Sequence, residues 1–221
     1  MPKVLLFDIG MNQGRTSLMF VNSFNNIGVE YEIHGFEPMV YLCDIAKKRF
    51  KDNENIFIYN CALTDSNGKA KVYFCRNNVG HSIFEDHAGI KKGLFQEVDS
   101  YKFSDWLIEN IGFKRLEENY VILKVNAEGA EYHIFKDLFE TKMIKYFKIV
   151  TGDDFSDIDK IKSIENGKKF REDIFKILYN YNIFYYRITR FRGANMMKVR
   201  RRIRRWLDGK IETPGRIDED D

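Results

Sequence analysis

Apolar positions run unbroken from Val4 to Phe7, stop at Asp8, and resume in a spaced pattern beyond Gly14. An unbroken apolar run marks a parallel strand buried on both faces, and recurrence at every third or fourth position marks an amphipathic helix. The opening stretch therefore predicts a strand, a tight turn over Gly10 to Gly14, and a helix. That helix carries Leu18, Met19, Val21, Phe24 and Ile27 and stops at Gly28. Tyr31 to Phe36 predicts a second strand closed by Glu37-Pro38. The residue before a proline avoids helical geometry, which leaves Glu37 at the strand's carboxyl end.

Val40 to Phe50 then predicts a helix, Asn55 to Leu63 a third strand, and Lys69 to Cys75 a short strand after the turn Asp65-Ser66-Asn67-Gly68. Arg76 to Ser100 is weakly periodic and contains Gly80, Gly89 and Gly93, so it reads as a loop. Tyr120 to Val125 and Phe147 to Thr151 predict strands. Tyr101 to Asn110, Glu131 to Phe139 and Phe170 to Tyr181 predict helices, and Ile183 to Phe191 with Asn195 to Val199 a closing hairpin. This alternation predicts an α/β fold: an open, doubly wound, mostly parallel sheet with helices on both faces and a terminal antiparallel hairpin. Ligands bind such sheets beyond the carboxyl ends of the strands, where Asp8, Glu37, Asn60, Asn126 and Asp153 fall.

The composition, 44% hydrophobic and 31% charged over 221 residues, fits one globular domain. We expect that domain over residues 1–210 and a flexible acidic tail over 211–221. No apolar run reaches the ~20 residues of a membrane span, and Met1-Pro2-Lys3 leads into the first strand without the features of a secretory signal. Cys43, Cys61 and Cys75 lack CxxC spacing, which points away from disulfides and zinc and toward a reducing, cytoplasmic setting. A net charge of +3 does not define a nucleic-acid partner. Lys198 to Arg205, with Ile203, Trp206 and Leu207, nevertheless reads as a basic amphipathic helix. Contact with an anionic membrane or RNA, and a solvated helix paired with acidic neighbours, are both open for it.

Glu37 lies 23 residues after Gly14, where a second strand presents an acid to the two hydroxyls of a ribose. That suits NAD and S-adenosylmethionine alike. The turn separates them, because Gly10-x-x-x-Gly14 lacks the GxGxxG spacing that seats a pyrophosphate. Asp8 would also repel a diphosphate, whereas S-adenosylmethionine carries a cationic amine and a sulfonium and no phosphate. The plainer reading makes Asp8 a helix cap and Glu37 a solvated loop acid.

At Phe7-Asp8-Ile9-Gly10-Met11-Asn12-Gln13-Gly14, Gly35-Phe36-Glu37-Pro38, Asn60-Cys61-Ala62-Leu63 and Leu123-Lys124-Val125-Asn126-Ala127-Glu128-Gly129-Ala130-Glu131, the chain resembles the FkbM family of S-adenosylmethionine-dependent methyltransferases. The resemblance runs from about Val4 to about Leu138 and implies a class I methyltransferase fold and methyl transfer to oxygen, with a sugar or glycan hydroxyl as acceptor. By position it implies that Asp8, Gly10 and Gly14 line the methionine end, with Asn12 and Ser17 of the same turn among the cofactor contacts. Glu37 would hold the ribose, Asn60, Cys61 and Ala62 would border the adenine, and Ser82 would sit beside the cofactor. The family usually has aspartate where this chain has Asn126. Members also usually carry sequence before the first strand, so a minimal enzyme and a domain of a longer protein are both open.

An alcohol attacking a methyl group needs its proton removed, by a base or with help from a metal. Candidate bases are His81, His87, Glu128, Glu131, His133, Asp153 and Asp154, and the catalytic set we expect is Asn126, Glu128, Asp153 and His81. Asn126 followed by Asp153-Asp154 resembles the oxygen-ligand pattern of metal-dependent O-methyltransferases, so a Mg²⁺ ion on Asn126, Asp153 and Asp154 is a further expectation. Asp157-Ile158-Asp159 resembles a short metal motif of sugar transferases, and Tyr185, Tyr186 and Phe191 are candidates to border the acceptor. Alternatives are an RNA ribose 2′-hydroxyl methyltransferase, for which Lys124 and the basic segment speak, a non-catalytic cofactor-binding scaffold, and an NAD oxidoreductase.

Overall fold

Strand β1 (Val4–Ile9) sits inside a six-stranded sheet in the computed structural model, which describes residues 2–76, 80–187 and 194–210. On one side it pairs with β2 (Tyr31–Phe36), which pairs with β3 (Ile56–Tyr59). On the other it pairs with β7 (Tyr120–Val125), followed outward by β8 (Phe147–Gly152) and β9 (Phe184–Arg187). All five pairings are parallel, in the order β3-β2-β1-β7-β8-β9. The strand order reverses between β1 and β7, and a crevice opens at such a point beyond the strands' carboxyl ends.

Side chains alternate across a strand, and both faces of these strands are covered. Leu5, Phe7 and Ile9 join Val121, Leu123 and Val125 in one buried cluster, while Val4 and Leu6 join Tyr120 and Ile122 in another. That two-sided burial is why both stretches are apolar at every position but Asp8 and Lys124. Helix α1 (Arg15–Ile27) packs Phe20, Val21 and Phe24 on the second cluster and ends on Gly28 in the left-handed conformation. Helices α3 (Phe103–Asn110) and α5 (Glu131–Glu140) cover the first, contributing Trp106, Leu107, Ile134 and Phe135. Helices α2 (Val40–Arg49), α4 (Phe113–Glu118), α6 (Asp157–Lys160) and α7 (Gly167–Asn180) fill the remaining connections. No helix among the described residues is long and apolar enough to cross a membrane. The three cysteines are free and buried.

Three expectations are corrected. The stretch expected as one third strand breaks at Asn60 into β3 and β4 (Cys61–Thr64), because the Asn60 amide donates to the carbonyls of Glu37 and Pro38 and turns the chain into a second sheet. Much of the expected loop is strand: β6 (Ile90–Lys102) pairs antiparallel with β5 (Gly68–Cys75) and parallel with β4. Positions 91–95 of β6 are exposed on both faces, so backbone pairing forms that strand without hydrophobic alternation. The terminal hairpin is absent from the described residues, with β9 parallel to β8 and Asn195 to Val199 inside helix α8 (Ala194–Leu207). Met196, Val199 and Ile203 recur at helical spacing and bury against the sheet beside Phe184 and Tyr186, which decides for helix.

Helix α8 thus directs its apolar stripe into the core. Arg202 lies over the Phe184 ring at 3.1 Å and bonds the Tyr186 hydroxyl, Arg200 donates to Ser23 at 3.2 Å, and Trp206 packs on Tyr120. The acidic tail and Phe191 lie outside the described residues.

Candidate functional site

The turn after β1 and the junction after β7 meet at the switch point. Gly10 takes φ +71°, and a Cβ there would stand 2.0 Å from the backbone oxygen of Asn126. Only glycine lets the two backbones approach this closely at that φ. Gly10→Ala is expected to cost ~1–2 kcal/mol from φ alone, with the backbone collision added. In a domain of this size the melting temperature should fall by more than ~4 °C, as differential scanning fluorimetry can measure. An unchanged value would show that the two junctions are not rigidly apposed.

Between these junctions, β4 and the segment after β5 lies a cleft of about 690 Å³ including its open mouth. Gly10 and Asn12 line it from the first turn, Glu37 and Pro38 from the end of β2, and Cys61 and Ala62 from β4. His81 stands on the side of the β5–β6 connection, and Asn126 and Glu128 on the β7–α5 junction. The structure thus brings together eight of the residues singled out from the sequence: Gly10, Asn12, Glu37, Cys61, Ala62, His81, Asn126 and Glu128. Phe36, Leu42, Leu63, Val72 and Ile83 add an apolar wall. No spacing marks those five in the sequence, because they converge from separate elements.

Glu37 is the most constrained acid on the wall. It is 5% exposed, with Oε2 accepting from the Asn12 N–H at 2.8 Å and Oε1 from the Met39 N–H at 2.9 Å. Burial pushes its carboxyl up to about 7 against the opposing pull of those two donors and Lys124. Asn60 supports it by holding the Glu37 and Pro38 carbonyls.

Several expected contacts stand behind the wall instead. Asp8 is fully buried, its Oδ1 2.7 Å from Lys124 Nζ and its Oδ2 accepting from Ser17. Lys124 also donates to the carbonyls of Gly10 at 2.7 Å and Ile9 at 3.3 Å, so the Asp8–Lys124–Ser17 group braces the turn from inside. Gly14, at φ +74°, packs against the Phe50 ring. Ser82 is buried and donates to the Glu128 carbonyl at 2.6 Å, bolting the β5–β6 connection onto the β7–α5 junction.

His81 accepts from the Cys75 N–H through Nδ1 at 3.0 Å, and Nε2 lies 2.9 Å from the Tyr41 hydroxyl. While the first bond holds, the neutral ring keeps its proton on Nε2 and offers no free lone pair as a base. Glu131 is buried, and accepts from the N–H groups of Ala127 at 2.6 Å and Gly129 at 2.7 Å, which makes it the cap of its own turn. His133 stacks on Phe84. Asp153 and Asp154 do not line the cleft, and Arg187 pairs with both, at 3.1 and 2.9 Å. Register explains this: Arg187 is the β9 partner of Gly152, the residue just before the acids. A guanidinium therefore neutralises the carboxylates expected to hold Mg²⁺, and those carboxylates stand apart from the cleft. Tyr185 bonds the Asp153 carbonyl, and Tyr186 is buried under α8.

No curated protein sequence matches the chain significantly. Among solved structures, the crystal structure of a methyltransferase FkbM from Methylobacillus flagellatus KT is similar, with a TM-score of 0.47 and 11% sequence identity. That alignment covers 80% of this chain and 37% of the other. A family model described as the methyltransferase FkbM domain matches residues 8–172, most of the 221, and the matched span takes in the turn after β1, Glu37 and the β7–α5 junction. The chain belongs to the FkbM methyltransferase family.

Proposed function

We propose that the protein uses S-adenosylmethionine to methylate a hydroxyl of a sugar or glycan. The observation that carries the donor half of this reading is the buried Glu37 carboxylate on the wall of the switch-point cleft, fixed by two backbone donors with lone pairs left for a ribose diol. Gly10 and Asn12 would flank the amino-acid end of the donor, and Cys61, Ala62 and Leu63 the adenine. Bound S-adenosylmethionine supplies an electrophilic methyl group on sulfur. The chain's part is to hold the acceptor oxygen in line at ~3 Å and to take its proton.

Glu37 and Glu128 are the acids among the described residues lining the cleft, and with Glu37 assigned to the ribose, Glu128 is left to receive that proton. The Asn126 amide, on the same junction, can orient the hydroxyl. Tyr41, exposed at the rim and hydrogen-bonded to His81, offers an aromatic face that suits a sugar ring. The RNA reading is less favoured, since Lys124 is buried on Asp8 rather than presented to the cleft.

S-adenosylhomocysteine is expected to raise the melting temperature while NAD does not. Methyl transfer should then appear on one member of a panel of sugars and glycans, with Glu128→Gln reducing it ~100-fold or more and leaving S-adenosylhomocysteine binding within about twofold. Stabilisation by NAD, or transfer confined to RNA, would overturn the reading. Binding without transfer to any acceptor would favour a non-catalytic scaffold.

A further inference from the structure

We propose that His87, Glu128 and Asp157 form a binding site for a first-row divalent cation at the edge of the cleft. The three come from separate places: the segment before β6, the β7–α5 junction and the first turn of α6. His87 Nε2 lies 3.7 Å from Glu128 Oε2 and 3.7 Å from Asp157 Oδ1, and one ligand atom from each residue falls within 4.8 Å of the others.

The imidazole is the informative member. His87 is 8% exposed, and among the described residues neither ring nitrogen has a hydrogen-bond partner. Burying an unsatisfied imidazole is unfavourable. A direct charge-assisted bond to either carboxylate would draw the atoms to ~2.7–2.9 Å. A bridging water would need them roughly 5.5 Å apart, two hydrogen-bond lengths. At 3.7 Å the imidazole lies within ion-pair reach of both carboxylates but beyond direct hydrogen-bond length of either. With two edges of 3.7 Å and a third of at most 4.8 Å, the centre of the triangle lies no more than ~2.4 Å from each corner, near the ~2.0–2.2 Å bonds of a transition metal to nitrogen and oxygen. One imidazole with two carboxylates suits Zn²⁺, Fe²⁺ or Mn²⁺ better than Mg²⁺ or Ca²⁺, which favour oxygen alone.

The backbone fixes the second ligand. Glu128 holds φ +52°, uncommon for a residue with a Cβ, and the Ser82 hydroxyl on its carbonyl and the Glu131 cap on both sides keep it there. Lys160 competes for the third: its Nζ lies 3.1 Å from the same Asp157 Oδ1, but the side chain is 56% exposed, so a cation can displace it. Three protein ligands would leave coordination positions open, and one of the three, Glu128, also lines the cleft. With Glu128 Oε2 on the cation, its other oxygen would be the one left for the acceptor's proton, a role that rests on the proposed function, whereas cation binding does not.

The test is calorimetry of Zn²⁺ and, separately, Mn²⁺ into the chelator-treated full chain. One equivalent should bind saturably. His87→Ala and Asp157→Asn should each weaken it roughly tenfold or more, Lys160→Gln should tighten it a few-fold, and Asp153→Asn should leave it unchanged. Thermal stabilisation by S-adenosylhomocysteine, retained in the His87 and Asp157 variants, shows that they fold. If that stabilisation is missing from the native chain while Zn²⁺ binds, the cofactor reading fails and the cation site stands. No saturable binding of either ion up to ~1 mM, or binding that survives both ligand substitutions or is lost in Asp153→Asn, overturns the site.

Discussion

Glu37→Gln is expected to weaken S-adenosylhomocysteine binding about 100-fold at pH 8, corresponding to ~3 kcal/mol. Each carboxylate oxygen of Glu37 already accepts one backbone N–H, from Asn12 and Met39, and keeps a lone pair for a ribose hydroxyl. Hydrogen bonds to a charged acceptor contribute ~1.5–3 kcal/mol each. Glutamine keeps one such oxygen, and its NH₂ group would face a backbone donor. The effect carries a pH signature. Burial raises the carboxyl to about 7, whereas the ionised form accepts the two hydroxyls. Affinity of the native chain should therefore fall as pH drops below about 7, with up to one proton released per cofactor bound, and stay flat above it. The free protein should behave oppositely. A folded pKa raised above the ordinary 4.5 gives a stabilising contribution that is complete below 4.5 and is lost as pH rises through about 7. One proton over that window amounts to ~3 kcal/mol. Calorimetry and chemical denaturation between about pH 5 and pH 9 read both slopes, and Glu37→Gln should remove each. An affinity of the Glu37→Gln variant equal to that of the native chain at pH 8 would exclude Glu37 as the ribose acceptor.

Glu37 was legible in the sequence because its placement is local: a strand ends just before it and Pro38 disfavours helix at it. β1 and β7 were legible because burial on both faces makes every position apolar except the mutually paired Asp8 and Lys124. Strand β6 was not, since backbone pairing to β5 holds a segment exposed on both faces. Segment 195–199 was ambiguous over five residues, and only the extension to Ile203 reveals the helical period.

Pairings across the chain were the hardest to read. An acid before a turn gives no sign of whether a cofactor amine or a lysine from another strand will neutralise it. Lys124 lies opposite Asp8 in the β1–β7 register, and Arg187 comes to Asp153 and Asp154 from β9. In both cases a basic side chain on the neighbouring strand takes the partner that spacing had assigned to a ligand.

The Asp8–Lys124 pair carries the second large prediction. Lys124→Met is expected to destabilise the protein by ~3–5 kcal/mol, because it strands a carboxylate with no exposure at all beside a single hydroxyl donor, Ser17. At ~2–4 °C per kcal/mol for a domain of this size, the melting temperature should fall by roughly 6–20 °C. The double variant Asp8→Asn with Lys124→Met should recover part of the loss, since removing both charges of a buried pair is far milder than removing one. Recovery should stop short of completion. The Gly10 carbonyl also loses the donor that held it at 2.7 Å, whereas the Ile9 carbonyl keeps the Asn126 N–H at 3.0 Å. A lone orphaned carbonyl costs about 1–3 kcal/mol, and because Gly10 lines the cleft that residue of damage should appear as weaker cofactor binding too. Denaturant midpoints for the native chain, the two singles and the double give the coupling energy directly. A lysine that acted on an acceptor would behave differently: Lys124→Met would then keep its stability, lose methyl transfer, and show no coupling to Asp8.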